Sequence, residues 1–228
     1  MTGLEARRLV GELARADIVR VESAAVAAQL TARGVDARRV VHAYPGVDLE
    51  RFRPAARDDR LHVAFVGALA LWKGADVLVE LERQLRPSAV VTVVGGTVCP
   101  WSRRLLVRAR FRYAEDVAAV MATSHYLVLP SVTDGFGYVV LEALASGCVP
   151  FVSPHAGASE VVRRLDPRLV QPLSGFAERV PELVRTLPFE DLSRRAQRLA
   201  GEFEYQAMAR VSAARVLAAA SAVEATST

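Results

Sequence analysis

Asp134 and Glu142 stand eight positions apart and bracket two glycines in the run Asp134-Gly135-Phe136-Gly137-Tyr138-Val139-Val140-Leu141-Glu142. Where such a run opens a helix, it suits a nucleoside phosphate. The first amides of a helix lack internal partners and carry the positive end of its dipole. Gly135 and Gly137 let a ligand approach the backbone closely. Glu142 falls about five residues into the helix, roughly 7 Å along its axis. A ribose attached to phosphates at the helix start is then within its reach, and a carboxylate accepts from both hydroxyls of a vicinal diol. The pattern equally fits a plain strand–loop–helix crossover with a solvated glutamate, and Gly-x-Gly alone does not separate the two. The other residue that stands out is Lys73, the single lysine among 29 basic residues.

The flanking sequence supplies the elements that must position these groups. His125 to Leu129 is an apolar run that reads as a buried parallel strand, Tyr138 to Ser146 has helical character, and Gly147 is placed to stop it. Cys148 to Ser153 reads as the next strand. Upstream, Leu61 to Val66 is a strongly apolar strand, Gly67 to Trp72 a loop and Lys73 to Leu85 a helix. Ala89 to Val94 is a strand ending in Gly95-Gly96, and Ala114 to Met121 a short helix. Residues 153–162 read as a turn and helix, and 174–186, 190–200 and 203–221 as further helices. The beginning reads as a helix over 4–15, a strand over 16–21, a Ser23-capped helix to Arg33 closed by Gly34, and a strand over 39–43. The polar stretch Ala55 to Arg60 reads as a linker. Strands alternating with helices predict an α/β fold with a parallel sheet. Such sheets bind ligands outside the carboxyl ends of their strands, where Lys73, Gly135, Gly137 and Glu142 all fall.

Composition narrows the class. With 228 residues, 52% apolar and 24% charged, the chain is long enough for one large or two small cored domains. No window reaches 18 uninterrupted apolar residues, so no membrane span is expected. Met1 to Arg8 has no signal-peptide core. Cys99 and Cys148 are isolated thiols without metal-ligand spacing, and Cys148 reads as a core residue; a reducing, cytoplasmic setting fits. Arg103, Arg104, Arg108, Arg110 and Arg112 crowd residues 97–112. They read as a solvated basic face; the alternatives are an anionic lipid surface, with the cytoplasmic chain then peripheral at the membrane, or replacement cations for the ligand site. Nucleic-acid binding is not expected: the net charge is only +4 and aromatic interleaving is limited to Trp101, Phe111 and Tyr113.

The pattern Pro130-Ser131-x-x-Asp134-Gly135-Phe136-Gly137-x-x-x-Leu141-Glu142-Ala143-x-Ala145-x-Gly147 resembles the donor-site signature of retaining glycosyltransferases of the GT-B fold, family 4 type. In that family the two acidic residues are usually both Glu; here the first is Asp134. The resemblance implies that Asp134 contacts the transferred sugar and Glu142 the nucleotide ribose. The family's G-R-x…K-G stretch, whose Arg and Lys bind the donor pyrophosphate, corresponds to Gly67-Ala68-Leu69-Ala70-Leu71-Trp72-Lys73-Gly74. Lys73 matches, whereas Ala68 stands where the Arg is expected. Lys73, Asp134 and Glu142 are thus the implied catalytic residues. Gly67, Gly95, Tyr113, Ser131, Gly135, Phe136 and Gly137 are the implied donor-binding set. Ser153 to Val162 is similar to the family's G-x-x-E turn and helix.

The resemblance implies retention of configuration, a UDP-, GDP- or ADP-sugar donor, no metal and no further cofactor; no Asp-x-Asp metal motif is present. "AD", "PGVD" and "FRP" near the start resemble the end of the first Rossmann domain and the hinge. Residues 1–54 are therefore expected to be an incomplete remnant of the acceptor-side domain, 55–200 the Rossmann-like donor domain, and 201–228 a C-terminal helix and tail. On this reading the acceptor side comes from a partner chain or a second copy. The competing reading is a nucleotide-sugar-binding or protein-interaction module without catalysis, supported by the absent acceptor domain, Ala68 and Asp134.

Overall fold

The computed structural model describes residues 8, 10–95 and 109–225. These form two compact units: the residues up to Gly46 together with those from Tyr205 onward, and Val47–Glu204. The expected boundaries at 54/55 and 200/201 thus fall differently, for visible reasons. Val47 N–H donates to Phe203 O at 2.8 Å and Phe52 is buried, so the stretch after Gly46 is tied into the larger unit. The 55–60 linker is anchored as well. Ala55 N–H bonds Ala122 O, and the Arg57 guanidinium donates to Ser124 O at 2.9 Å and Ser146 O at 2.8 Å.

In the smaller unit, β1 (Val19–Val21) pairs in parallel with β2 (Val40–His42). Ser23 caps α1 (Ala24–Ala32), its hydroxyl accepting from Val26 N–H. Residues 8 and 10–13 are helical, as expected there; residues 4–7 and 9 of the expected 4–15 helix lie outside the described residues. Val19, Val21 and Val35 form the unit's core, flanked by Val10, Leu13 and Leu30.

The larger unit is built on a five-stranded, all-parallel sheet of β3 (Leu61–Val66), β4 (Ala89–Val94), β5 (Arg112–Ala114), β6 (Tyr126–Leu129) and β7 (Val149–Val152). The strand order is β5-β4-β3-β6-β7. The central strands are apolar along their length because helices cover both faces of such a sheet: Val63, Phe65, Leu127, Val128 and Phe151 are all at 0% exposure. The covering helices fall into two packing groups, α2 (Ala75–Leu85) with α6 (Phe176–Thr186), and α3 (Val117–Thr123), α4 (Val139–Ala145) and α5 (Ser159–Leu165) with α7 (Phe189–Ala200). The chain leaves β3 in one direction along the sheet and β6 continues in the other. The order therefore reverses between β3 and β6, and their carboxyl ends open the crevice where a doubly wound sheet takes its ligand.

Three local expectations are corrected. β5 falls within residues read as a basic stretch and a helix start; with three largely exposed residues at the sheet edge it has no apolar alternation to reveal it. α3 begins at Val117 rather than Ala114, because the Asp116 carboxylate accepts from Ala118 and Ala119 N–H. Lys73 closes a 3-10 turn (Leu71–Lys73) and does not begin a helix. Gly74 breaks the chain there in the left-handed region at φ 75°, and α2 starts after it. Only glycine fits at this point: a Cβ on Gly74 would lie 2.1 Å from Pro130 O. Finally, α8 (Tyr205–Ala225) follows a 3-10 turn and belongs to the smaller unit, with Leu217 exposed.

Candidate functional site

The loops that follow β3 and β6 meet across the crevice. Val132 N–H donates to Trp72 O at 2.9 Å, and the close approach at Gly74 presses the Lys73 turn onto Pro130. The consequence is a contact between residues 61 positions apart: Lys73 Nζ donates to Asp134 Oδ2 at 2.6 Å. Both side chains are largely withdrawn from water, with 27% and 13% exposed. Asp134 is held from the other side by the loop after β7. Its N–H donates to His155 O at 3.2 Å, and its carbonyl accepts from Gly157 N–H at 3.1 Å. His155 thus contributes its backbone carbonyl to the site.

Gly137 sits at φ 92°, and a Cβ there would press Leu129 Cδ2 at 2.9 Å and approach Asp134 Oδ2 at 3.7 Å. A Cβ on Gly135 would meet no atom within 4 Å beyond its chain neighbours. The start of α4 offers fewer amides than expected. Val140 and Leu141 N–H bond Gly137 O and Tyr138 O in a 3-10 manner, and Glu142 N–H also bonds Tyr138 O. Among the described residues, Lys73 is the cation that the crevice loops bring against Asp134.

Glu142 is half-buried, and among the described residues its carboxylate has no hydrogen-bond partner. Burial pushes its carboxyl above the usual range, and the nearby Arg51 charge opposes that shift. Arg51 is a site neighbour that sequence reading missed; nothing in its spacing from Glu142 signals it.

Gly67, Gly95 and Tyr113 come together elsewhere along the same edge. With Val66, Val93 and Glu115 they line a cavity of about 500 Å³ at the carboxyl ends of β3, β4 and β5. Tyr113 is 58% exposed, with Phe111 edge-on to its ring at 6.5 Å. Two members of the expected set have buried side chains. The Phe136 side chain is packed in the core, and Ser131 is fully buried. Ser131 O accepts from Ser153 Oγ at 2.5 Å, and its own hydroxyl has no partner among the described residues. Gly96, Cys99, Arg103, Arg104 and Arg108 lie outside the described residues. A second hollow of about 580 Å³ lies under α3, lined by Asp58, His62, Thr92 and Arg112, and contains none of the expected site residues.

The family profile of glycosyl transferases group 1 matches residues 60–186, more than half of the chain and all five strands of the large sheet. The chain belongs to the group 1 glycosyltransferases. Among curated members of that group it is 32% identical over 191 residues to a GDP-mannose-dependent alpha-mannosyltransferase of Mycobacterium tuberculosis, covering 77% of this chain and 49% of the relative. It is 34% identical over 193 residues to a D-inositol 3-phosphate glycosyltransferase of Actinosynnema mirum, covering 69% and 46%. The chain therefore spans about half the length of these relatives. Its fold is similar to that of HepE of Anabaena, solved in complex with UDP-glucose: TM-score 0.81, 18% identity, 95% of this chain and 68% of that one. The architecture is thus that of a GT-B glycosyltransferase. Among the described residues no helix is long and apolar enough to cross a membrane, and no group of three or more His, Cys, Asp or Glu is placed to hold a metal.

Proposed function

We propose that this chain is the donor-binding half of a glycosyltransferase that moves a sugar from a nucleoside-diphosphate donor with retention, without a metal. The observation that carries the reading is the convergence of Lys73 and Asp134 where the strand order reverses, beside the Gly135–Gly137 loop. Relatives and neighbours named for GDP-mannose and UDP-glucose support a nucleotide-sugar as the ligand. Lys73 supplies positive charge to the departing diphosphate, which is the group that gains charge as the glycosidic bond breaks. Asp134, fixed through its backbone on both sides, orients the sugar. Glu142 accepts from the ribose hydroxyls. Ala68 in place of an arginine leaves the diphosphate with one fewer cation, a loss of about 1.5–3 kcal/mol if nothing replaces it. The setting is cytoplasmic, with peripheral membrane contact through residues such as Arg110 and Arg112.

That same pairing favours a second reading, a module that binds a nucleotide-sugar without transferring it: in the ligand-free crevice the cation is already neutralised by Asp134. Slow donor hydrolysis distinguishes the two. The chain is incubated with UDP-, GDP- and ADP-linked α-sugars with chelator present, and the released sugar is followed by proton NMR. The transferase reading expects the α-anomer first, unaffected by chelator. Release of the β-anomer, or dependence on metal, contradicts it. Tight binding with no release supports the module.

A further inference from the structure

Residues 48–52 form a turn beside α4, and Asp48 shapes it. Its carboxylate accepts from Glu50 N–H at 2.9 Å and Arg51 N–H at 3.0 Å, and Phe52 N–H donates to Asp48 O at 3.0 Å. An aspartate that accepts from the amides just ahead of it fixes the path of the chain at that point. Phe52 is buried and ties the turn to the core, and the Arg51 guanidinium lies over the Phe52 ring, 5.3 Å from its centre. The next anchor is Arg57, which donates to Ser146 O at 2.8 Å, at the end of α4. Ser146 stands one helical turn after Glu142, whose carbonyl accepts from Ser146 N–H at 3.1 Å. The segment from Arg51 to Arg57 is thus held along α4. Arg57 sits at the helix's carboxyl end, and the Arg51 charge acts on Glu142.

Neither charge is spent on a direct bond. Among the described residues Arg51 makes no side-chain hydrogen bond or ion pair, and neither does the Glu142 carboxylate, so the two stand near one another without pairing. Asp134 is the opposite case, its carboxylate bonded to Lys73 at 2.6 Å. The difference matters for a diol. A carboxylate accepts from two vicinal hydroxyls only while it is ionised and its lone pairs are free. Burial works against the ionised form of Glu142. A direct ion pair would favour that form but occupy the lone pairs, whereas a cation held at a distance favours it and leaves them free. Arg51 is the charged group that acts on Glu142 among the described residues. We propose that Arg51 is a positioning residue for the donor's ribose: fixed by the Asp48 turn, it holds Glu142 as a free carboxylate ready for both hydroxyls, without touching the ligand itself. The assignment rests on the donor-binding reading and deepens it by adding a residue that governs ribose recognition.

The test is calorimetric titration of the full chain with GDP, UDP and ADP, and with the 2′,3′-dideoxy form of whichever binds tightest, from about pH 8 down to about pH 5. The phosphates, Lys73 and Asp134 are common to both ligands, so the ratio of the two affinities isolates the hydroxyl contacts. In the wild type the ribonucleotide binds at least about tenfold tighter at the upper end, and the preference fades as Glu142 gains its proton. Arg51→Met keeps the preference at the upper end but loses it at higher pH than the wild type does, and Arg51→Lys restores the wild-type profile. Glu142→Gln removes the pH dependence. Equal thermal unfolding midpoints show that the variants fold. An Arg51→Met profile that matches the wild type overturns the assignment. A preference lost at every pH also overturns it, because Arg51 then touches the ligand itself. Both results leave the donor site standing. A wild type that binds nucleotide without preferring the ribose overturns the role of Glu142 as well, and failure of all three nucleotides to bind overturns the donor reading with it.

Discussion

Neutralising Asp134 should tighten nucleotide binding even as it impairs sugar transfer. In the ligand-free crevice Lys73 spends its charge on Asp134 across 2.6 Å. An ion pair near 4 Å at an effective dielectric of about 20 has a gross attraction of about 4 kcal/mol. With 27% and 13% of the side chains exposed, solvent reduces the net coupling, and about 1–2 kcal/mol is a fair figure. A diphosphate arriving at Lys73 must offset that coupling and also tolerate the nearby carboxylate. In Asp134→Asn the isosteric amide removes both penalties, so GDP should bind about tenfold tighter, at 1.4 kcal/mol per decade. Lys73→Ala should do the opposite by more than tenfold, because it leaves an uncompensated, mostly buried carboxylate facing the ligand. The double variant should recover part of that loss, giving a measurable interaction term in the cycle. Calorimetry at low and raised salt reads all four proteins, and the Asp134→Asn gain should shrink as salt rises. If Asp134→Asn binds GDP equally or more weakly, Asp134 is preparing Lys73 for the ligand and the competition argument is refuted.

The remaining expectations concern the frame around the site. Gly74→Ala must force a left-handed residue and a Cβ into Pro130 O, so a loss of about 2–4 kcal/mol is expected in denaturant unfolding, with nucleotide binding lost alongside. Ser193→Ala removes a buried donor to Gly147 O at 2.7 Å behind α4 and should cost about 1 kcal/mol in the same assay. His125 is pulled below the ordinary histidine range by burial first, then by Arg57 and His62, with Asp58 and Glu190 opposing. The unfolded chain therefore binds this proton more readily than the folded one. Stability should be intact above about pH 6.5 and fall as pH drops below it. The His62 N–H bond to His125 Nδ1 needs that nitrogen unprotonated. Thermal unfolding from pH 7.5 to 5.5 checks this; a His125→Asn variant should flatten the slope, and an unchanged slope would assign it to another group.

The legible part of the fold was the part written in long apolar runs. β3, β4, β6 and β7 stand where Leu61 to Val66, Ala89 to Val94, His125 to Leu129 and Cys148 to Ser153 are nearly all apolar, because a parallel sheet buried on both faces leaves no room for alternation. β5 was invisible for the converse reason: Arg112-Tyr113-Ala114 is an edge segment held by pairing with β4 and carries no apolar signature. Lys73 and Asp134 each had a signal, but the ion pair between them depends on Gly74 yielding to Pro130, a tertiary event. Phe136 shows the limit of a motif read residue by residue. An aromatic between two glycines fits a ligand contact or a core plug, and here it is a plug. Glu115 and Arg51 carry no local mark at all; only the folded edge places one at a cavity mouth and the other beside Glu142.

The central claim is that Lys73 anchors the diphosphate of a nucleotide donor, and one titration tests it most directly: GDP, UDP and ADP into the wild-type chain and into Lys73→Ala, with both shown to unfold at the same temperature. Micromolar binding by the wild type, weakened more than tenfold in the variant, is the result predicted. Binding that survives the loss of Lys73, or no binding to the wild type at all, would contradict it.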